Sequence, residues 1–553
     1  MRSVLALGVA CWLVACASTP RTAAPDRILV GGVVWTADEA RPRATALAIE
    51  GERICAVGSE DELLSLRGPE TVVESLDGAF VCPGFIDSHL HFLQREQLQI
   101  ADEDTLDEVA ERVKAYAAAR PSQPWITGRG WGYALFPERV PHRRHLDAML
   151  PDRPLVLSER DGHMSVCNTR ALALAGITRD TPDPEHGRIV RDAQGEPTGE
   201  LQESAMGLVG QLVPAASDDE LYASFLELQD RAASFGLTSV CNASFSARAL
   251  DLIERARAEG KLKLRFRYAI PFEKDASDAD FARWSALEAR FPQEWVSFGC
   301  AKGMLDGVVD ARTAAMFEPF TNGENGIAMW EQGALDAAAE RYDRAGYQLL
   351  FHAIGDRAVS IGLSAFEHVQ RTVGPRDRRP RIEHAEVVRD TDLPRFVATG
   401  SIASTQALFA TPDATTLENY SPLLGPERAR IANAFSRFDA AGVRQAFGSD
   451  FPVFSMEVRT GLYVACARKT LAGVPADGYF PEFRITPEAA LRHFTIDGAY
   501  ANYWERDRGS LTTGKLADLV ILSSDILSGP PELLLKTRVL ATYVGGRPSY
   551  RAP

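Results

Sequence analysis

Two patterns of hydrophobic and polar positions divide this chain. Near both ends, short apolar runs alternate with turn residues. Residues 26–83 contain RILVGGVVWTA, ATALAIEGERICAVG and TVVESLDGAFVCPG, and residues 505–553 contain ADLVILSSD and VLATYVGGRPSY. Short runs rich in β-branched residues and bounded by Gly, Asp and Pro predict strands. Gly51-Glu52 and Asp77-Gly78 are hairpin signals. Two β-rich ends around a different middle predict one β-sandwich assembled from both termini.

The middle, residues 84–504, repeats a strand-then-helix unit. The apolar runs FIDSHLH, LTSVCNA, LKLRFRYAI, VSFGCAK, YQLLFHA, RIEHA, SIASTQ and VRQAFGSD are mostly separated by helical stretches such as SDDELYASFLELQDRAASFG. Eight such units predict an α/β fold, a (β/α)8 TIM barrel. The interval from about 95 to 215 is too long for one βα loop. It holds the strand-like WITGRGW and PLVLSER and the turn-rich PDPEHGRIVRDAQGEPTGE. It predicts an inserted subdomain that caps one face of the barrel. GEPTGE reads as a turn between short strands, because no Lys or helix start follows it as a phosphate loop would require. Thr486-Pro487 opens the helix EAALRHF as N-cap and first helical residue.

The first residues follow neither pattern. Arg2 precedes an apolar run from Val4 to Val14, too short to cross a bilayer of roughly 30 Å. Leu13-Val14-Ala15-Cys16 resembles a bacterial lipobox. Residues 1–15 are therefore expected to be a lipoprotein signal peptide, Cys16 to carry the lipid, and residues 16–25 to be a tether. That address implies the cell envelope, on the periplasmic or outer-surface side, with a membrane partner reached through the lipid.

Composition narrows the class. The chain has 553 residues, 45% hydrophobic and 24% charged, which excludes disorder, collagen and a disulfide-dense mini-protein. Against 60 Lys and Arg stand 75 Asp and Glu, a net charge of -15 that argues against nucleic-acid binding. The cysteines show no CxxC spacing, and those beyond Cys16 are expected to be buried thiols.

Histidine placement carries the chemistry. His89 and His91 share one face of a strand, because strands have a period of two. His352, His384 and Asp450 each sit at the end of a candidate strand, as does Lys302 in VSFGCAK. Strand ends are where these barrels place catalytic groups. Imidazole and carboxylate suit Zn²⁺ or a similar divalent ion. A Lys ammonium would repel a cation, whereas a carboxylated Lys302 is an anion able to bridge two. In the insertion, His163 in DGHMSVCN and Trp131 and Tyr133 in GRGWGY are candidates for substrate binding. His142, His145, His186, His368 and His493 lie in polar or helical contexts and are read as structural.

The order HxH, Lys, His, His, Asp resembles the amidohydrolase superfamily, and within it the YtcJ-like or amidohydrolase 3 branch. The matching phrases include VCPGFIDSHLHF, DGHMSVCNTRALALAGI, GEPTGELQE, KGMLDGVVDARTAA, HAIGDRA, RIEHAE, GSDFPV and GSLTTGKLADLVILSSD. The resemblance implies one or two divalent metals, most simply zinc. His89, His91 and Asp450 would bind the first, His352 and His384 the second, and a carboxylated Lys302 would bridge them. The implied activity is hydrolysis of an amide-type C–N bond of a small molecule by metal-activated hydroxide. Asp450 would be the general base, and His384 would help polarise the carbonyl. Alternatives are an ester or lactone hydrolase, a deaminase of the same superfamily, and a surface binding protein that has lost catalysis. Each leaves an oligomer possible.

Overall fold

All eight apolar runs of the middle region become strands of one parallel sheet in a computed structural model of the protein. The model describes residues 24–95, 97–100 and 104–553. The expected signal peptide and Cys16 lie outside the described residues. The strands are β1 Phe85–Leu90, β2 Leu237–Asn242, β3 Arg265–Pro271, β4 Val296–Met304, β5 Gln348–Ala353, β6 Arg381–His384, β7 Ile402–Gln406 and β8 Gln445–Gly448. They are hydrogen-bonded in chain order, from β1 through to β8. Most of their residues are buried, as a parallel sheet filled inside and covered outside by helices requires.

The ring closes where the end of β8 meets β1. Gly448 makes this contact possible: a Cβ there would stand 2.6 Å from the backbone nitrogen of His89. Just past the strand, the Asp450 N–H donates to the His89 carbonyl at 2.8 Å. The His91 N–H donates to the Phe451 carbonyl at 2.7 Å. The architecture is a TIM barrel.

The two termini build the sandwich together. One sheet pairs Arg27–Val30 with Ala46–Glu50 and Val72–Ser75, and carries Arg53–Gly58 at its edge. The other places Phe80–Pro83 from the N-terminal part beside Leu519–Leu522 from the C-terminal part. Gly51-Glu52 forms the expected two-residue hairpin, with Glu50 opposite Arg53. Asp77-Gly78 differs from expectation. Both residues take positive φ and reverse the chain, but the flanking strands enter different sheets. The turn therefore joins the layers of the sandwich instead of closing a ladder. A buried ion pair ties sandwich to barrel: Arg265 of β3 donates from Nε to Asp518 at 2.8 Å, and Gly545 N–H donates to the same carboxylate at 2.7 Å.

The insertion forms its own six-stranded mixed sheet, including Ile126–Trp131, Leu155–Glu159, Met164–Cys167 and Pro197–Glu203. Its apolar face packs with Val308, Ile354 and Val387. These residues follow β4, β5 and β6, so the subdomain covers the C-terminal end of the barrel. GEPTGE, read from sequence as a turn, divides in the structure. Asp192 and Glu196 close the hairpin, and Pro197–Glu203 is an antiparallel strand against Gly187–Arg191.

At the opposite end of β8, the helix Pro487–His493 starts on Thr486, whose hydroxyl accepts from the Ala489 N–H at 3.1 Å. His493 ends it and lies between two carboxylates, Asp497 at 3.1 Å and Asp439 at 3.4 Å. Burial alone would lower its pKa. The hydrogen bonds and charges of Asp439 and Asp497 outweigh burial and push it up to about 9. A histidine raised in the folded state stabilises fully below its unfolded pKa near 6.5, and that contribution is lost as pH rises through about 9. Replacement by Gln should remove on the order of 3 kcal/mol from this pH-dependent contribution. Urea unfolding at pH 6 and pH 9.5 measures it. The wild type should lose stability between these values more than His493→Gln does.

Candidate metal centre

Six groups expected from sequence meet at the C-terminal rim of the barrel. β1 ends by delivering His89 and His91, and the turn after β8 places Asp450 against both. Asp450 Oδ1 lies 3.1 Å from His91 Nε2 and 3.6 Å from His89 Nε2. One ligand atom from each of these three residues lies within 4.8 Å of the others, tight enough to hold a metal ion. Lys302, from β4, brings Nζ to 3.4 Å from His89 Nε2. His384 of β6 and His352 of β5 stand alongside, with ring centroids 4.8 Å from His89 to His384 and 4.5 Å from His384 to His352. His163 of the insertion extends the row, 5.1 Å from His352.

Hydrogen bonds select which imidazole nitrogen faces the centre. Nδ1 of His89 donates to the Glu383 carboxylate, which leaves the Nε2 lone pair inward. Nδ1 of His384 donates to Gln406 Oε1 at 2.9 Å. Nε2 of His352 donates to the Gly307 carbonyl at 3.2 Å, which leaves Nδ1. A carboxylate or amide behind an imidazole fixes its tautomer and orientation. The backbone is strained at the same place: His384, Ala385 and Asp450 take φ of 71°, 48° and 55°. Non-glycine residues in this region persist only where surrounding structure imposes it, and they cluster at functional sites.

The electrostatics favour ligation. Burial pushes the pKa of His89, His352 and His384 well below the ordinary value, so all three offer neutral lone pairs at neutral pH. Burial also lowers Lys302, against the pull of Glu383 and Asp450. For Asp450 burial acts upward, but His91, His89 and Lys302 together hold the carboxyl below its usual range. Its Oδ1 is buried and accepts no hydrogen bond of good geometry. A buried acceptor without a donor of good geometry, beside the inward Nε2 of His89 and the His91 imidazole 3.1 Å away, fits a divalent cation.

Three supporting carboxylates escaped the sequence reading. Glu383 receives His89 and pairs with the fully buried Arg381, Nε to Oε1 at 2.7 Å. Asp87 accepts the His89 and Ser449 N–H groups, and burial pushes it up to about 7. Asp306 accepts the N–H groups of Ile354, Gly355 and Ala315, and burial pushes it up to about 8. The signal was present. A carboxylate in a run buried on both faces is costly unless it is paired, and FIDSHLH and RIEHA each contain one.

The substrate-binding expectations separate. His163 stands at the mouth, its Nδ1 2.8 Å from Glu203. Trp131 and Tyr133 are corrected. Their rings are 0% and 3% exposed, so neither presents surface to a ligand. The Trp131 indole N–H donates to Leu157 O at 2.7 Å, and the Tyr133 hydroxyl donates to Glu200 at 2.8 Å. Both rings pack in the core of the insertion, where their large apolar area is buried and their polar ends are satisfied. The adjacent cavity, about 970 Å³, is lined instead by residues such as Arg129, Arg160, Phe451 and Phe454.

Barrel, rim and ligand geometry together define a metal-dependent hydrolase. The chain belongs to the amidohydrolase family, whose model matches residues 72–550. It is 30% identical over 537 residues to the putative amidohydrolase YtcJ of Bacillus subtilis strain 168, covering 94% of this chain and 98% of that protein. It is 28% identical over 541 residues to the N-substituted formamide deformylase of Arthrobacter pascens, covering 94% and 97%. An uncharacterized metal-dependent hydrolase from Pyrococcus furiosus matches in structure with a TM-score of 0.68 and 25% identity, over 91% of this chain and 100% of that one.

Glu383→Gln tests the support of the centre. The amide keeps the shape but loses the charge that steadies the His89 imidazole. Metal affinity should fall by roughly 10–100-fold, measured by competition with a chromophoric chelator. An unchanged affinity would remove Glu383 from the centre.

Proposed function

We propose that this protein is an envelope-anchored hydrolase that cleaves an amide-type C–N bond of a small molecule with the help of one or two divalent cations, most simply zinc. The observation that carries the reading is the convergence of His89, His91 and the hydrogen-bond-deficient Oδ1 of Asp450. The activity named for the Arthrobacter pascens relative supports the C–N bond.

His89, His91 and Asp450 would hold the first cation, and His352 and His384 the second. Lys302 would bridge as a carbamate. Burial weakens its hold on a proton, and a free amine is what reacts with CO₂. When bound, the cation acidifies water and polarises a carbonyl oxygen. Asp450, ionised at neutral pH, accepts the proton of the attacking water and returns it to the leaving nitrogen. His384, held through Nδ1 by Gln406, keeps the Nε2 lone pair with which it would hold the second cation. The insertion covers this end of the barrel and limits access of bulk water.

The tightness of the three-residue group favours, as a second reading, a single cation, the arrangement of a deaminase-like site. Metal analysis separates the two: about two equivalents per chain support the first, about one the second.

Asp450→Asn should fold normally and lose turnover by on the order of 10²–10⁴-fold on any amide the wild type cleaves. Chelation should abolish wild-type activity, and Zn²⁺ should restore it. Near wild-type rates in Asp450→Asn would sink the assignment. The envelope address is tested separately. Cys16→Ser should move the protein from the membrane fraction to the soluble fraction, and an unchanged distribution would refute lipid anchoring.

A further inference from the structure

A second, smaller cavity lies beside the metal centre and has a different chemistry. Its volume is about 30 Å³, room for one small polar group. Three carboxylates line it: Asp161 from the insertion, Asp310 from the segment after β4, and Glu386, two residues past β6. Asp310 and Glu386 are each only 5% exposed. Asn433 lines the same space. It is 6% exposed, and its side-chain oxygen is buried with no hydrogen-bond donor. The rest of Asn433 is anchored: its N–H donates to the Glu386 carbonyl at 3.0 Å, and its carbonyl accepts from Arg468 at 2.6 Å. The side-chain amide donates from Nδ2 to the Phe409 carbonyl at 3.4 Å, which leaves its oxygen an acceptor that lacks a donor.

The neighbours of the carboxylates do not cancel this excess of acceptors. Asp310 receives Asn419 Nδ2 at 2.8 Å, and Glu386 receives the Tyr420 hydroxyl. Both donors are neutral. Arg160 is the cation lining the cavity, and it stands 3.1 Å from Asp413 and 3.5 Å from Asp161. The pocket therefore combines three carboxyl groups, two of them buried, with an unsatisfied acceptor. Its wall toward the metal centre is aromatic: Phe409 stacks on His384 with centroids 5.9 Å apart and touches Phe454 at 5.4 Å. The Phe454 face already carries the Arg160 guanidinium, 4.7 Å from the ring centroid.

We infer that this pocket is a substrate subsite for a primary ammonium group, so that the amide cleaved at the metal centre carries a positively charged amine on one of its two halves. The inference rests on the hydrolase reading above. An ammonium has three donors and no acceptor, which matches a wall of carboxylate and amide oxygens. A divalent ion fits less well. Among the described residues, the group close enough to hold a metal is His89, His91 and Asp450, and the carboxylates of this pocket form no such group. A carboxylate-bearing substituent would meet like charge here. An ammonium placed among these carboxyl groups replaces its water with charge-assisted hydrogen bonds, which are the stronger kind. A neutral substrate would leave them unmade.

The test uses n-butylammonium chloride and n-butanol as probes on the full-length, metal-loaded protein, with binding read by calorimetry. The ammonium should bind at least tenfold more tightly than the alcohol. Asp310→Asn, which preserves shape, should erase most of that difference, and Asn433→Leu should reduce it. Circular dichroism and metal content establish that each variant is folded and loaded. Equal binding of the two probes, or no change in either variant, overturns the subsite. Loss of one metal equivalent in Asp310→Asn also overturns it, by making the pocket a metal site. A matched pair of amides, N-formyl-1,5-diaminopentane and N-formylpentylamine, then reads turnover. The charged amide should have at least tenfold higher kcat/KM, lost in Asp310→Asn. Preference for the neutral amide contradicts the subsite while leaving the hydrolase reading intact. Selective ammonium binding without cleavage of any amide contradicts the hydrolase reading while leaving the subsite intact.

Discussion

The seam between β8 and β1 is the constraint on which the site depends. A barrel closes only if its last strand reaches its first, and here the approach is so close that residue 448 can have no side chain. The same closure forces Asp450 into a left-handed turn, where its N–H is taken by the His89 carbonyl. Its carboxylate is then carried to both His89 and His91. Barrel closure and assembly of the metal-binding group are therefore one event.

Beneath the seam, buried charges position the imidazoles. Arg381 is fully buried and donates to the Ser88 carbonyl at 2.6 Å, to the Ser404 hydroxyl at 2.8 Å and to Glu383. Glu383 in turn receives His89. Each charge would be costly alone inside the barrel. Together they form a chain in which the arginine neutralises the carboxylate and the carboxylate orients the ligand. The network spans β1, β6 and β7, so it fixes the relative height of those strands as well as the imidazole tautomer.

The insertion divides the labour of the molecule. The barrel supplies every proposed metal ligand. The subdomain supplies groups at the mouth: His163, Asp161, Arg129 and Arg160. Its own large aromatics, Trp131 and Tyr133, hold its core. The proposed metal ligands thus stay on strand ends, where position is rigid, and the insertion adds polar groups above them.

Much of this was readable in the chain before any coordinates. All eight barrel strands appeared as apolar runs, because a parallel strand is buried on both faces and cannot hide its composition. His89, His91, Lys302, His352, His384 and Asp450 were visible because a strand end followed by a titratable group recurs in five units. The cap on Thr486 and the Gly51-Glu52 hairpin were visible because both depend on neighbours in sequence. Other features were out of reach for the opposite reason. Nothing local tells Asp77-Gly78 that its two strands belong to different sheets, or tells GEPTGE where turn ends and strand begins. Nor does it tell Trp131 that it faces a core rather than a cavity. The pairing of Glu383 with His89 and the meeting of Asp161, Asp310, Glu386 and Asn433 join residues far apart in the chain. The sequence by itself determined which elements form and which chemistry they carry, because burial and strand period act locally. Only the tertiary structure decided which side chains share a space, because barrel closure and the folding of the insertion over the rim are long-range events.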